Sequence, residues 1–161
     1  MLTYTTSSMT THSVERKLFN KHKRALISEL GSKALDDATL NAVGRREFAA
    51  WGGVHPIDRG TLKPFHYYIY NTDTHDKPGE HWIAVYCSKG RAYVYDSYAR
   101  PIPSIAYQLI KSIKKRGLKL GKTDEVHHME QTGFTSELCG INSLSWLMTV
   151  RDLGIALGNN I

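Results

Sequence analysis

Apolar and polar positions along the chain follow two rhythms, one of period near 3.6 and one of period 2, and each change of rhythm falls at glycines, prolines or short polar runs. SVERKLFNKHKRALISEL, which begins at Ser13, places Val14, Leu18, Leu26 and Leu30 four or eight residues apart, so a helix with one apolar face is predicted. Ser13 suits its N-cap and Gly31 its end. Asp36 or Asp37 can cap a second helix, from about Ala38 to Phe48, carrying Leu40, Val43 and Phe48. WGGVHPIDRGTLKP (51–64) is so rich in Gly and Pro that it reads as loop. FHYYIYN (65–71), HWIAVYC (81–87) and AYVYD (92–96) are aromatic and β-branched and read as strands. A helix from about Pro103 to Lys115 follows, with Ile105, Leu109 and Ile113 on one face and Ile110 beside it. GLKLGK is a break, and DEVHHME (124–130) reads as a short strand. The last helix, from about Cys139 to Leu153, is apolar on most sides, which predicts a central position in the core.

The two neighbouring strands bring ionisable groups together. Along HWIAVYC one face carries His81, Ile83, Val85 and Cys87; along AYVYD one face carries Ala92, Val94 and Asp96. A turn of two or four residues centred on Lys89-Gly90 pairs Cys87 with Ala92 and Ile83 with Asp96. His81 and Asp96 are then diagonal neighbours with backbones roughly 7–8 Å apart, a gap their side chains can close. A three-residue turn would reverse the parity and separate them. A carboxylate on one imidazole nitrogen fixes the tautomer, favours the imidazolium and leaves the other nitrogen to exchange a proton. The alternative is that both groups are merely solvated at strand ends. Tyr93 and Tyr95 fall on the opposite face, as packing groups.

Cys139 opens the last helix and is followed by Gly140 in QTGFTSELCGINSLSWLM. A thiol at a helix N-terminus lies near the positive end of the dipole, which favours the thiolate, and Gly140 allows close approach of another chain. Gln131, eight residues earlier, could turn its amide toward the thiol, so that with the Cys139 N–H it forms a two-donor oxyanion hole. The competing reading is an inert cysteine at the start of a core helix. Cys87 stands about 20 Å along its strand from His81, so if Cys139 meets His81, Cys87 is a core thiol and not its disulfide partner.

Composition narrows the field. The chain has 161 residues, 41% of them hydrophobic, which fits a single domain with residues 1–12 as a flexible arm. No window approaches the run of about 18 apolar residues that spans a bilayer, and the polar start MLTYTTSSMTTHS has no apolar signal core, so a soluble, unsecreted protein without membrane contact is expected. Two cysteines make no disulfide framework and no zinc-finger spacing. The adjacent His127 and His128 would point to opposite faces of a strand, so no metal site is expected. A net charge of +6 and a pI near 9.3 suit contact with a polyanion.

HW at the start of one strand, YDSYARP at the end of the next and then Q-T-G-F-T-S-E-L-C-G form an ordered set over residues 38–150. This set resembles the adenovirus-type (adenain-like) maturation cysteine proteases, above all the short members encoded by virophages and polinton-like or adinto-type viruses. These are related to the proteases of ubiquitin-like proteins. The resemblance implies an α+β, papain-like cysteine protease fold: a small mixed sheet packed on a central helix that carries the nucleophile. It implies His81 as general base, Asp96 as its orienter, Cys139 as nucleophile and Gln131 as oxyanion donor. Trp82 would wall a narrow groove that, with Gly140, takes small, often glycine, residues before the cut bond. The implied substrates are viral structural or core protein precursors, cut during maturation in the virion or in the nucleus or cytoplasmic virus factory of an infected cell. The resemblance implies a monomer without a metal or other obligatory cofactor. Stimulation by DNA stays open on the basic charge; DEVHHMEQ has no cysteine for a disulfide-linked peptide activator. Two rivals remain. One is a protease of ubiquitin-like modifiers. The other is a basic nucleic-acid-binding module using the Lys/Arg faces of residues 16–24 and 111–122.

Overall fold

The computed structural model describes residues 13–77, 81–99, 106–121, 137–159 and 161. Among these, helices α1 (Val14–Leu30) and α2 (Asp37–Glu47) precede strands β1 (Trp51–Pro56), β2 (Tyr67–Asn71), β3 (Trp82–Cys87) and β4 (Arg91–Tyr95). Helix α3 (Tyr107–Lys115), strand β5 (Lys119–Leu120), helix α4 (Cys139–Leu153) and the short helix α5 (Ile155–Gly158) complete the order. The fold is mixed α+β, with the five strands side by side in chain order. The outer pairs β1–β2 and β4–β5 are parallel, and the inner pairs β2–β3 and β3–β4 antiparallel.

Local chemistry starts and stops the helices where expected. The Ser13 hydroxyl accepts the Arg16 N–H at 3.2 Å, and the Asp36 carboxylate accepts the Thr39 N–H at 2.8 Å, each satisfying a first-turn donor. Gly31 closes α1 at φ +80°, a conformation with little cost only for glycine. The inward line of α1 differs from the expected one. Phe19 and Leu26 are buried and Val14 is 67% exposed, because the helix is rotated to put Phe19 beside Tyr95 on the sheet.

Residues 51–56 were expected in a loop and form β1 instead. Strand formation survives the glycines because they serve the packing: a Cβ on Gly52 would lie 2.1 Å from the Tyr68 ring, and Gly53, at φ +106°, sits where the register slips between Trp51 and Gly53. The expected break at GLKLGK likewise contains β5, which adds two residues to the edge of β4.

Period 2 divides the sheet between two apolar clusters. Tyr67, Ile69, Ala84, Tyr86, Tyr93 and Tyr95 face α1, α2 and α4. Tyr68, Tyr70, Ile83, Val85, Cys87 and Val94 face the other way, against Leu109, Ile110 and Ile113 of α3. Every residue of α4 from Cys139 to Val150 is buried, so this helix is the central one its sequence predicted. Trp146 on α4 stacks on Tyr95, with ring centroids 5.4 Å apart and planes at 8°. That contact seats the helix across the end of β4. The DEVHHME segment and residues 100–105 lie outside the described residues, as does residues 1–12. No described helix is long and apolar enough to cross a membrane.

Candidate active site

The β3–β4 turn sets the register on which the site depends. Cys87 pairs with Ala92 and Ala84 with Tyr95, the parity of a four-residue connection. Continuing that register places Asp96 opposite Ile83 and diagonal to His81. Both ionisable residues lie one position beyond their strands, where the sheet ends and the N-terminus of α4 arrives. The His81 Nε2–H donates to Asp96 Oδ1 at 2.6 Å. The same oxygen accepts the Tyr98 N–H at 3.1 Å, and the Ala99 N–H closes a turn on the Asp96 carbonyl at 2.8 Å. The carboxylate is thus held by its own turn and by the imidazole, and Tyr98 covers the ring with centroids 4.9 Å apart. His81 is 5% exposed and Asp96 1%.

Cys139 completes the constellation. It lies near enough to His81 to favour the charged imidazole. With Nε2 engaged by Asp96, the ring's remaining nitrogen is Nδ1. Burial is the largest influence on His81 and opposes its charge; the bond to Asp96 and the neighbouring Cys139 together outweigh it, so the imidazole pKa is raised above its ordinary value. The three groups come from two strand ends and one helix start, distant in sequence and joined by packing.

The supports of this arrangement were not all expected. The Trp82 indole N–H donates to the Leu35 carbonyl at 3.0 Å, which ties β3 to the segment before α2. One turn below Cys139, the Ser143 hydroxyl donates to the Trp82 carbonyl at 3.3 Å and fixes α4 against β3. Ser143 was detectable as the i+4 neighbour of Cys139; nothing local in the sequence marks the Leu35 carbonyl. Gly140 is closely surrounded: a Cβ there would lie 3.2 Å from Leu40, 3.4 Å from Leu35 and 3.5 Å from Trp82. Among the described residues no side chain caps the start of α4. Gln131 lies outside the described residues.

Cys139 and Trp82 both border a groove of about 590 Å³. Its other walls come from the segment before α2, from the end of β1, and from residues after β2. Asp58 holds one of those walls. Its carboxylate accepts the His75 N–H at 2.9 Å and the His75 Nδ1–H at 2.5 Å. The bond from His75 holds the Asp58 carboxyl below its usual pKa. Arg59 is exposed beside it, at 3.1 Å from the other His75 nitrogen.

Cys87 is fully buried among Ile83, Val85 and α3, and burial pushes its thiol pKa up to about 12. Both cysteines are free. Among the described residues no group of three or more His, Cys, Asp or Glu side chains is placed to hold a metal ion. Compared with protein-family models and with curated proteins, the chain matches none.

Proposed function

We propose that this chain is a cysteine endopeptidase of papain-like architecture that cuts viral capsid or core precursors at small-residue sites. The observation that carries the reading is the position of His81, bonded to Asp96 through one nitrogen and beside the Cys139 sulphur. A thiol, an imidazole and a carboxylate in that sequence form the proton-transfer unit of nucleophilic acyl transfer. The groove beside Cys139 supplies space for an extended chain. The choice of viral precursors as substrates rests on the motif resemblance of HW, YDSYARP and QTGFTSELCG.

Cys139 as thiolate attacks the peptide carbonyl carbon, forming a C–S bond while the carbonyl electrons move to oxygen. The Cys139 N–H, at the start of α4, is one donor to that oxyanion, and Gln131 is assigned as the other by the resemblance. The His81 imidazolium gives its proton to the departing nitrogen as the C–N bond breaks. Water then attacks the thioester carbon, His81 takes its proton, and the C–S bond breaks to release the carboxylic acid and restore the thiolate–imidazolium pair. Throughout, Asp96 keeps the ring oriented and offsets its positive charge.

The test is incubation of the purified chain with the structural precursors encoded alongside it. Fragments cut after small residues by the wild type, and absent with Cys139→Ala, are the expected result. Cleavage that persists in Cys139→Ala rules out the assigned nucleophile.

A further inference from the structure

Among the described residues, the lining of the groove that borders Cys139 has a net charge opposite to that of the whole chain. Its described lining carries four carboxylates, Asp36, Asp37, Asp73 and Glu137, against the single ammonium of Lys77, whereas the chain as a whole is +6. The carboxylates come from three separate segments, the start of α2, the stretch after β2 and the residues just before α4, and so converge on the groove from different sides. Two are spoken for by backbone: Asp36 accepts the Thr39 N–H and Asp37 the Ala38 N–H at 3.0 Å. Among the described residues, Asp73 and Glu137 make no side-chain hydrogen bond or ion pair, although Asp73 is half-buried. Lys77 lies within ion-pair distance of none of the four.

Trp82, partly buried and with its indole N–H bonded to the Leu35 carbonyl, borders the same groove. Concave walls of one sign strengthen the local field and raise the concentration of oppositely charged groups. The geometry points to a substrate subsite for a basic residue: the groove binds a peptide that places a lysine or arginine side chain between Asp73 and Asp37, close to the bond presented to Cys139. This specificity rests on the protease reading. It adds a charge requirement to the steric demand for small residues next to the cut. The fit is to peptides from basic, nucleic-acid-packaging proteins rather than from acidic ones.

The test uses the full chain and two readouts. The first is the labelling rate of Cys139 by a cationic and an anionic alkyl thiosulfonate of similar size, scaled to their rates with a small free thiol. A cationic preference of about tenfold at low salt is expected, shrinking toward one at about 0.5 M salt and in the double variant Asp37→Asn/Asp73→Asn. Circular dichroism confirms that the double variant is folded, and Asp76→Asn, outside the groove lining, is a second variant that keeps the preference. The second readout is cleavage of a peptide library by wild type and double variant, with Cys139→Ala as blank. Lysine or arginine enriched near the Cys139-dependent cuts, and lost in the double variant, supports the subsite. Equal scaled labelling rates, or cuts whose neighbours show no basic enrichment, overturn it. Cationic preference in labelling without any Cys139-dependent cut keeps the cation-binding groove and sinks the protease reading instead.

Discussion

At the scale of single residues, two thiols of identical chemistry have opposite fates. Cys87 is buried in an apolar cluster and its pKa is pushed up to about 12, whereas Cys139 stands beside His81 on a groove. Replacing Cys87 by Ser puts a hydroxyl into the apolar cluster and should cost about 1–3 kcal/mol of unfolding free energy, measured in urea, while leaving the site geometry intact. Asp96→Asn keeps the shape of the orienting group and removes its charge, so kcat should fall by about 10²–10⁴-fold with much smaller change in KM. His81 holds its proton more tightly in the folded chain than in the unfolded one, where a histidine titrates near pH 6.5. Its contribution to stability is therefore complete below about pH 6.5 and is lost as pH rises through the raised folded value. The stability gap between wild type and His81→Gln should narrow when urea melts are run at about pH 9 instead of about pH 6. The His81–Asp96 diagonal was legible because the turn around Lys89-Gly90 fixes parity; the sulphur's place beside them was not, because it depends on how α4 crosses the sheet.

At the scale of elements, glycine explains both the error and the precision of the sequence reading. The Gly-rich stretch after α2 reads as loop, yet Gly52 is needed there because the Tyr68 ring occupies the space of its Cβ. A Gly52→Ala chain should lose about 1–3 kcal/mol by overpacking, measured by thermal melting, while Gly90→Ala, which meets no atom within 4 Å, should stay near wild type. Helix α1 shows the opposite case, an element found with its face misjudged. Its apolar residues are too sparse to fix rotation, and the long-range contact of Phe19 with Tyr95 decides it. Helix α4 was found at its observed start and end, since an apolar run bounded by Cys139 and Gly154 leaves little freedom. Its attachment is local in energy: removing the Ser143 hydroxyl with Ser143→Ala should cost about 1 kcal/mol and loosen Cys139 relative to His81.

At the scale of the molecule, the α+β class and the order of its main elements were legible, since each element has its own period. The groove was not, because its walls are assembled from segments far apart in the chain: Trp82 and Leu35, 47 residues apart, meet through one indole hydrogen bond. Polar links also tie the helical layer together. Arg151 on α4 reaches the Glu47 carboxylate and Asp152, each at 2.8 Å, and His22 of α1 meets Asp152 at 2.7 Å. These groups are partly exposed, so Arg151→Met should cost no more than about 1 kcal/mol, with the difference shrinking in salt. Nucleophilic catalysis at this site requires His81 to act on Cys139. The most direct measurement is the second-order rate of alkylation of each cysteine in the folded chain, in wild type and in His81→Ala. Rapid modification of Cys139, a Cys87 that stays unmodified, and a fall of about tenfold or more at Cys139 in His81→Ala are predicted. Equal rates at both thiols, or a Cys139 rate indifferent to the loss of the imidazole, would contradict it.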